Sequence, residues 1–161
     1  MKEKHVKMWV SVCKEIAWAS NCPRAKFGAL IIDEDSNTLV SSGYNGYLRG
    51  GPPLCGGELC KRTEDGIESG CSVEIGCIHA EMNALMNCAR ETVSCLGKSM
   101  FINGEPCRMC AKLMVQAGIR RVYIIGGVYG NNGLQVLGEI GVEVIQILEE
   151  GDLIQLKPWY K

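Results

Sequence analysis

The stretch that decides the fold is residues 98–126, KSMFINGEPCRMCAKLMVQAGIRRVYIIG. Apolar runs at 98–103 and 121–126 predict two buried strands, and the residues at 107–117 between them have helical spacing. Gly118 suits the end of that helix. The stretch therefore predicts strand, helix and strand, a pattern typical of a sheet with helices on its faces.

The same analysis, extended in both directions, predicts the remaining elements. Helices are expected at 4–20, 79–90 and 132–140, and strands at 26–33, 38–43 and 142–147. The two strands before residue 44 form a hairpin, which makes the α/β sheet mixed rather than parallel. Between them and the second helix lies a long Cys/Gly-rich loop at about 44–77, and the tail 148–161 carries no clear pattern.

Composition limits the class of protein. The 161 residues fit one domain, 1–161, with 47% hydrophobic and 22% charged residues. The net charge of -1 argues against a nucleic-acid-binding surface. No apolar run approaches the roughly 18 residues that span a bilayer, and the charged N-terminus is unlike a signal peptide. We therefore expect a cytoplasmic protein without a membrane partner, in which the ten cysteines bind metal or lie buried.

Two short motifs predict a metal centre. His79 and Glu81 open one helix, and Cys107 and Cys110 open another. One imidazole and two thiolates supply the three protein ligands of a catalytic Zn²⁺ site, and the fourth position is left for water. Zinc lowers the pKa of such a water to about 7. We expect Glu81 to be the catalytic group, taking a proton from the water and passing it to a substrate nitrogen.

A Cys-x-x-Cys pair alone would equally fit a redox pair or half of a structural zinc site. Here His-x-Glu precedes Pro-Cys-x-x-Cys, each at a predicted helix start, which is the signature of zinc nucleobase deaminases. The joint pattern favours a hydrolytic deaminase.

Over residues 10–147 the sequence resembles the deoxycytidylate (dCMP) deaminases of the cytidine deaminase superfamily. The matching stretches are FGALI at 27–31, GYNG at 43–46, IHAEMNAL at 78–85, EPCRMCAK at 105–112 and QAGIRR at 116–121. The resemblance implies a three-layer α-β-α fold with a five-stranded mixed sheet. It also implies conversion of dCMP and water to dUMP and ammonia, which supplies dUMP for thymidylate synthesis.

The resemblance implies substrate contacts as well. Asn45 would bind the deoxyribose hydroxyl, the Ala80 backbone would read the cytosine edge, and Tyr129 would pack on the base. An Asn before Gly is also a common turn dipeptide, and Tyr129 is equally interpreted as a core aromatic residue. Basic side chains near the predicted site are candidates for the 5′-phosphate: Arg24, Lys26 and Arg49.

Other cysteines raise the question of a second zinc. Some members of the family hold a structural zinc near the long loop, and Cys22 and Cys55 match its ligand positions. Cys60, Cys71 or Cys77 would then complete the site. The alternative is that several of these thiols are small buried side chains.

Members of the family are commonly homo-oligomers, hexamers or dimers, activated by dCTP and inhibited by dTTP. Tyr44, Arg49 and Arg90 stand where such members place effector or interface contacts.

Other functions stay open. A tRNA adenosine deaminase carries a similar Pro-Cys-x-Met-Cys, which Met109 matches, and dCTP or a modified dCMP are further candidate substrates. A zinc-stabilised nucleotide-binding module would need no proton shuttle, so Glu81 argues against it.

Overall fold

The computed structural model describes residues 1–51, 55–56, 58–68, 71, 75–128, 130, 133–151 and 153–159. The five helices of the described residues are α1 (Glu3–Trp18), α2 (Lys61–Glu64), α3 (Ala80–Arg90), α4 (Arg108–Gln116) and α5 (Gly133–Ile140). The strands are β1 (Gly28–Asp33), β2 (Thr38–Tyr44), β3 (Cys55–Gly56), β4 (Leu59–Cys60), β5 (Ser99–Ile102), β6 (Arg121–Ile125), β7 (Glu143–Glu150) and β8 (Leu153–Pro158).

A mixed sheet in the order β2-β1-β5-β6-β7-β8 forms the centre of the fold. Strands β5, β6 and β7 are parallel and are connected by helices α4 and α5, and the other neighbouring pairs are antiparallel. Helix α1 covers one face, where it packs on Leu30, Ile32 and Phe101. Helices α3, α4 and α5 cover the other, where they pack on Ala29, Ile31 and Met100 among others. The predicted three-layer α-β-α architecture is confirmed.

The main sheet has six strands rather than the predicted five. The additional strand, β8, pairs with β7 through the turn at Gly151, whose φ is 61°. Most side chains of β8 are exposed, so the tail lacks the apolar alternation that predicts a strand. The long loop is also less irregular than expected, because it contains the small β3–β4 sheet and the single turn α2. Among the described residues, none of the helices combines the length and the apolar content that crossing a bilayer requires.

Candidate metal centre and active site

Two helix N-termini meet on one face of the sheet. His79 is the N-cap of α3, and Cys107 is the N-cap of α4, where its sulfur accepts a hydrogen bond from the Cys110 backbone N–H at 3.4 Å. The start of α3 is tied to the loop after β2 by a pair of backbone hydrogen bonds between Gly46 and Ile78, at 2.8 and 3.1 Å. The fold therefore brings residues 28 positions apart in sequence into one site.

The predicted metal ligands converge. The His79 Nδ1 atom lies 3.6 Å from the Cys107 sulfur and 3.5 Å from the Cys110 sulfur. Zinc–sulfur bonds of about 2.3 Å and zinc–nitrogen bonds of about 2.0–2.1 Å, at a tetrahedral angle, place sulfur and nitrogen about 3.6 Å apart. In the described part of the chain this is the only group of three or more candidate metal-ligating side chains. Both the donor set and the spacing fit Zn²⁺.

The electrostatics of the three groups also suit a metal. A hydrogen bond from Cys110, together with His79, lowers the pKa of the Cys107 thiol to about 3 despite its partial burial. The interaction with Cys107 also raises the pKa of Cys110, and it raises the pKa of His79 above its usual value. A metal binds the deprotonated forms of these thiols and of the imidazole, so metal binding at this site is coupled to release of protons.

Glu81 is buried beside this group. Its side chain lies in the first turn of α3, and the residue is only 7% exposed. Burial raises the pKa of its carboxyl above the ordinary value, while the charge on His79 lowers it in part. A carboxyl group whose pKa is moved toward neutrality suits both acceptance and donation of a proton.

Tight packing fixes the start of α3 against β2, a feature that the sequence analysis missed. A Cβ on Gly43 would lie 2.4 Å from the Ala84 nitrogen and 2.5 Å from the Ala80 oxygen, both backbone atoms. In the same region Asn83 and Asn87 donate to the carbonyls of Tyr44 and Ser42, each at 2.8 Å. The sequence gives only an indirect signal of this packing. Glycine is unfavourable inside a strand and asparagine inside a helix, so glycine in β2 and asparagines in α3 suggest that packing requires them.

We expect Gly43→Ala to displace α3 and with it the site. The new methyl group meets backbone that cannot move aside cheaply, so the free energy of unfolding should fall by about 1–3 kcal/mol. A displacement of His79 and Glu81 by about 1 Å should reduce turnover about 10²-fold. Urea unfolding and ammonia release measure the two effects.

Gly138→Ala is the matched control, since its methyl group would make only an ordinary 3.5 Å contact with the Trp159 ring. That change should stabilise α5 by about 0.5–1 kcal/mol. If Gly43→Ala were as stable and active as the wild type, the tight contact would not constrain the site.

Asn45 lies buried beside this region and is 6% exposed. Its Oδ1 atom accepts from the Phe27 backbone N–H at 2.8 Å, and its Nδ2 atom donates to the Ala25 carbonyl at 2.9 Å. Each end of the amide retains capacity for one more hydrogen bond. The predicted contact with deoxyribose therefore stays a prediction. Ala80 is buried at the first turn of α3, directly after His79.

The predicted phosphate ligands have protein partners. The Lys26 ammonium donates to the backbone carbonyls of Trp18 and Ser20, at 3.3 and 2.6 Å, where it caps the C-terminal end of α1. Arg24 donates to the Ile67 carbonyl at 3.0 Å and is exposed. Their contact with phosphate remains untested, and Tyr129 lies outside the described residues.

A groove of about 340 Å³ lies between β2 and the C-terminal half of α3. Its lining includes Arg49, which donates to the Asn87 side chain at 2.9 Å, and Arg90, which pairs with Glu91 at 2.8 Å. Tyr44 is exposed at the end of β2. Two of the three residues predicted for effector or interface contacts thus share one concave surface.

Two of the surplus cysteines, Cys55 and Cys60, are register partners across the β3–β4 pair of the long loop. Cys60 is buried as the N-cap of α2, Cys22 and Cys77 are half-buried, and Cys71 is exposed. Burial would raise the pKa of the Cys60 thiol, but hydrogen bonds, chiefly from Thr63, outweigh it and lower that pKa. The side chain of Cys55 lies outside the described residues.

Comparison with known proteins identifies the family. The family model for the cytidine and deoxycytidylate deaminase zinc-binding region matches residues 2–126. ComE operon protein 2 of Bacillus subtilis is 33% identical over 143 residues, which cover 88% of this chain and 70% of that protein. Deoxycytidylate deaminase of Mycobacterium phage D29 is 31% identical over 120 residues, 71% of this chain and 88% of that one.

The structure is similar to that of the dCMP deaminase of cyanophage S-TIM5 in complex with dCMP and dUMP. The TM-score is 0.76 with 31% sequence identity, over 91% of this chain and 98% of that one. The match to the family model includes all three candidate metal ligands and Glu81. The chain therefore belongs to the family of zinc-binding cytidine and deoxycytidylate deaminases.

Proposed function

We propose that this protein hydrolyses dCMP to dUMP and ammonia with a zinc ion held by His79, Cys107 and Cys110. The observation that carries the proposal is the convergence of these three ligands beside the buried carboxyl of Glu81. Similarity to a dCMP deaminase that binds dCMP and dUMP supports the choice of substrate.

The chain's own residues account for the proton transfers. When bound, zinc supplies Lewis acidity that makes water a nucleophile near neutral pH. The water oxygen becomes the oxygen on C4, and the bond from C4 to the amino group breaks. Of the two water protons, one ends on ring N3 and one on the departing ammonia, and Glu81 carries both. The backbone of Ala80 orients the cytosine edge.

Ammonia release from a set of nucleotides tests the substrate. The purified zinc-loaded protein is incubated with dCMP, deoxycytidine, cytidine, dCTP and a tRNA. We expect kcat/KM for dCMP to exceed that for deoxycytidine by about 10²-fold, because charge-assisted hydrogen bonds to phosphate are strong. Arg24 is an exposed candidate for the phosphate contact, so Arg24→Gln should lower the ratio of kcat/KM for dCMP to kcat/KM for deoxycytidine.

The other functions give different results in the same assay. Turnover of tRNA without turnover of dCMP would identify an adenosine deaminase. A non-catalytic nucleotide-binding module would bind dCMP but release no ammonia. Equal turnover of deoxycytidine and dCMP would contradict a phosphate site.

The groove that contains Arg49 and Arg90 is the proposed effector site for dCTP, which activates, and dTTP, which inhibits. Two guanidinium groups beside a concave surface suit a triphosphate. We expect Arg90→Gln to raise the dCTP concentration for half-maximal activation about tenfold, the effect of losing one charged hydrogen bond. Arg120→Gln, at an exposed arginine elsewhere on the surface, is the control. An unchanged dCTP response in Arg90→Gln would contradict this assignment.

Three finer features complete the proposal. A second, structural zinc is held by cysteines from the set Cys22, Cys55, Cys60, Cys71 and Cys77, and the lowered pKa of Cys60 supports thiolate ligation there. The protein acts in the cytoplasm as a homo-oligomer, a hexamer or a dimer. Metal analysis that gives one zinc per fully active chain would contradict the second site, and a monomer in light scattering would contradict the oligomer.

A further inference from the structure

Phe27 faces the same side of the sheet as the metal centre. In β1, Ala29 and Ile31 pack with the helices that carry the metal ligands. Gly28 points the other way, because a Cβ on it would lie 2.5 Å from the Cys13 carbonyl of α1. Side chains alternate along an extended chain, so Phe27, directly before Gly28, projects toward the layer of α3 and α4.

Two asparagine side chains fix the backbone on either side of Phe27. On one side, the Phe27 N–H and carbonyl bond to the side chain and the backbone N–H of Asn45, at 2.8 and 3.0 Å. On the other, Asn103 accepts from the Gly28 N–H at 2.7 Å and donates to the Lys26 carbonyl at 3.1 Å. These amides complete the hydrogen bonding of the chain just before β1 and fix the direction in which Phe27 points.

The ring itself lies on Gly104. A Cβ at that glycine would come within 2.7 Å of the Phe27 ring, so the ring and the bare backbone are in direct contact. Gly104 lies three residues before the metal ligand Cys107. Asn45 is followed by Gly46, which forms a β-bridge with Ile78, the residue before the metal ligand His79. Phe27 therefore stands between the two chain segments that lead into the metal ligands.

Phe27 is 39% exposed, although the residues of β1 that follow it, from Ala29 to Ile32, are fully buried. A rigidly held aromatic side chain that is open to solvent, on the face of the sheet that carries the metal ligands, offers a flat apolar surface to a planar ligand. Helix α1 cannot cover it, because that helix lies on the opposite face of the sheet.

We propose that Phe27 stacks on the pyrimidine ring of the substrate, and that Asn103 is a positioning residue that holds Phe27 in place. The proposal rests on the proposed function, since it takes a nucleobase as the planar ligand. Stacking acts equally on substrate and transition state, so it lowers KM and leaves kcat nearly unchanged. Gly104 contributes by leaving room for the ring.

Fluorine NMR tests the contact in the full zinc-loaded protein. The chain contains two phenylalanines, Phe27 and Phe101, so fluorophenylalanine gives two resonances. Phe101 is fully buried and stacked on Tyr123 at 4.2 Å, which makes it an internal control. Saturating dUMP, with binding verified by calorimetry, should shift the Phe27 resonance and leave that of Phe101 in place. The line that disappears in Phe27→Leu is assigned to Phe27.

Kinetics supply a second readout. Phe27→Leu should raise KM for dCMP about tenfold, within the range of base–aromatic stacking. Phe27→Tyr, which keeps the aromatic ring, should have a KM close to that of the wild type. Asn103→Ala should raise KM more than it lowers kcat. Leu153→Ala, at an exposed apolar residue of β8, is the control.

The outcomes separate the two proposals. If the protein turns over dCMP but bound dUMP leaves the Phe27 resonance unmoved, stacking is wrong and the proposed function stands. Equal shifts of both resonances, or a Phe27→Leu variant with the wild-type KM, would also overturn stacking. If no ammonia is released from dCMP, the proposed function fails and the stacking proposal fails with it.

Discussion

Glu81→Gln is expected to reduce kcat for dCMP by about 10²- to 10⁴-fold, the usual contribution of a general acid–base group. Glutamine has nearly the shape of glutamate and fits the same buried site at the start of α3. It cannot take a proton from water or return one to ring N3 or to the amino group. The substitution therefore separates proton transfer from metal binding, because His79, Cys107 and Cys110 are unchanged.

Three measurements make this prediction specific. Ammonia release gives kcat, metal analysis gives the zinc content, and urea unfolding reports whether the fold is intact. Glu15→Gln, at an exposed carboxylate of α1, is the control and should change none of them. Turnover by Glu81→Gln within about tenfold of the wild type, with zinc bound, would show that another group moves the protons.

The parts of the fold that the sequence predicts are those with strong local signals. Strands β5 and β6 are fully or mostly buried apolar runs, and Gly118, whose φ is 80°, ends the helix between them as its position predicts. Strand β8 was missed for the opposite reason, since its side chains are largely exposed and its place in the sheet depends mainly on pairing with β7. Pairing between strands is a property of tertiary structure that a local pattern does not contain.

Within the site, too, local sequence signals predict some features, and tertiary packing determines the others. The spacing of Cys107 and Cys110 in one helical turn makes their convergence predictable, and His79 follows from its motif. The packing around them is not predictable in this way. Position 43 requires a glycine because the backbone of α3 leaves no room there for a Cβ. The ammonium group of Lys26 donates hydrogen bonds to carbonyls at the end of α1. Both roles depend on which element lies opposite, so they require coordinates.

Cys110→Ser is expected to remove the catalytic zinc and with it all measurable turnover. Cys110 is fully buried and its sulfur is one of three ligands, so two ligands would remain. A serine hydroxyl stays protonated near neutral pH and is a poor ligand for zinc, which prefers thiolate, imidazole and carboxylate. The zinc content should fall by one ion per chain, from two to one if the second, structural site is present.

Thermal unfolding connects the loss of metal to stability. An ion that binds only the folded state stabilises it by about 4 kcal/mol when its concentration exceeds Kd about 1,000-fold. Chelation should therefore lower the Tm of the wild type by more than that of Cys110→Ser, which has already lost this contribution. The matched control is Cys95→Ser, because the Cys95 thiol is half-buried, lies outside the metal centre and donates to the Ala117 carbonyl at 3.7 Å, a role that serine can fill. If Cys110→Ser kept its zinc and its activity while Cys95→Ser lost them, the metal centre would have to be reassigned. We expect instead that Cys110→Ser loses zinc and activity while Cys95→Ser keeps both. That result would show that zinc binding, turnover and part of the stability of the fold depend on the buried Cys110 sulfur.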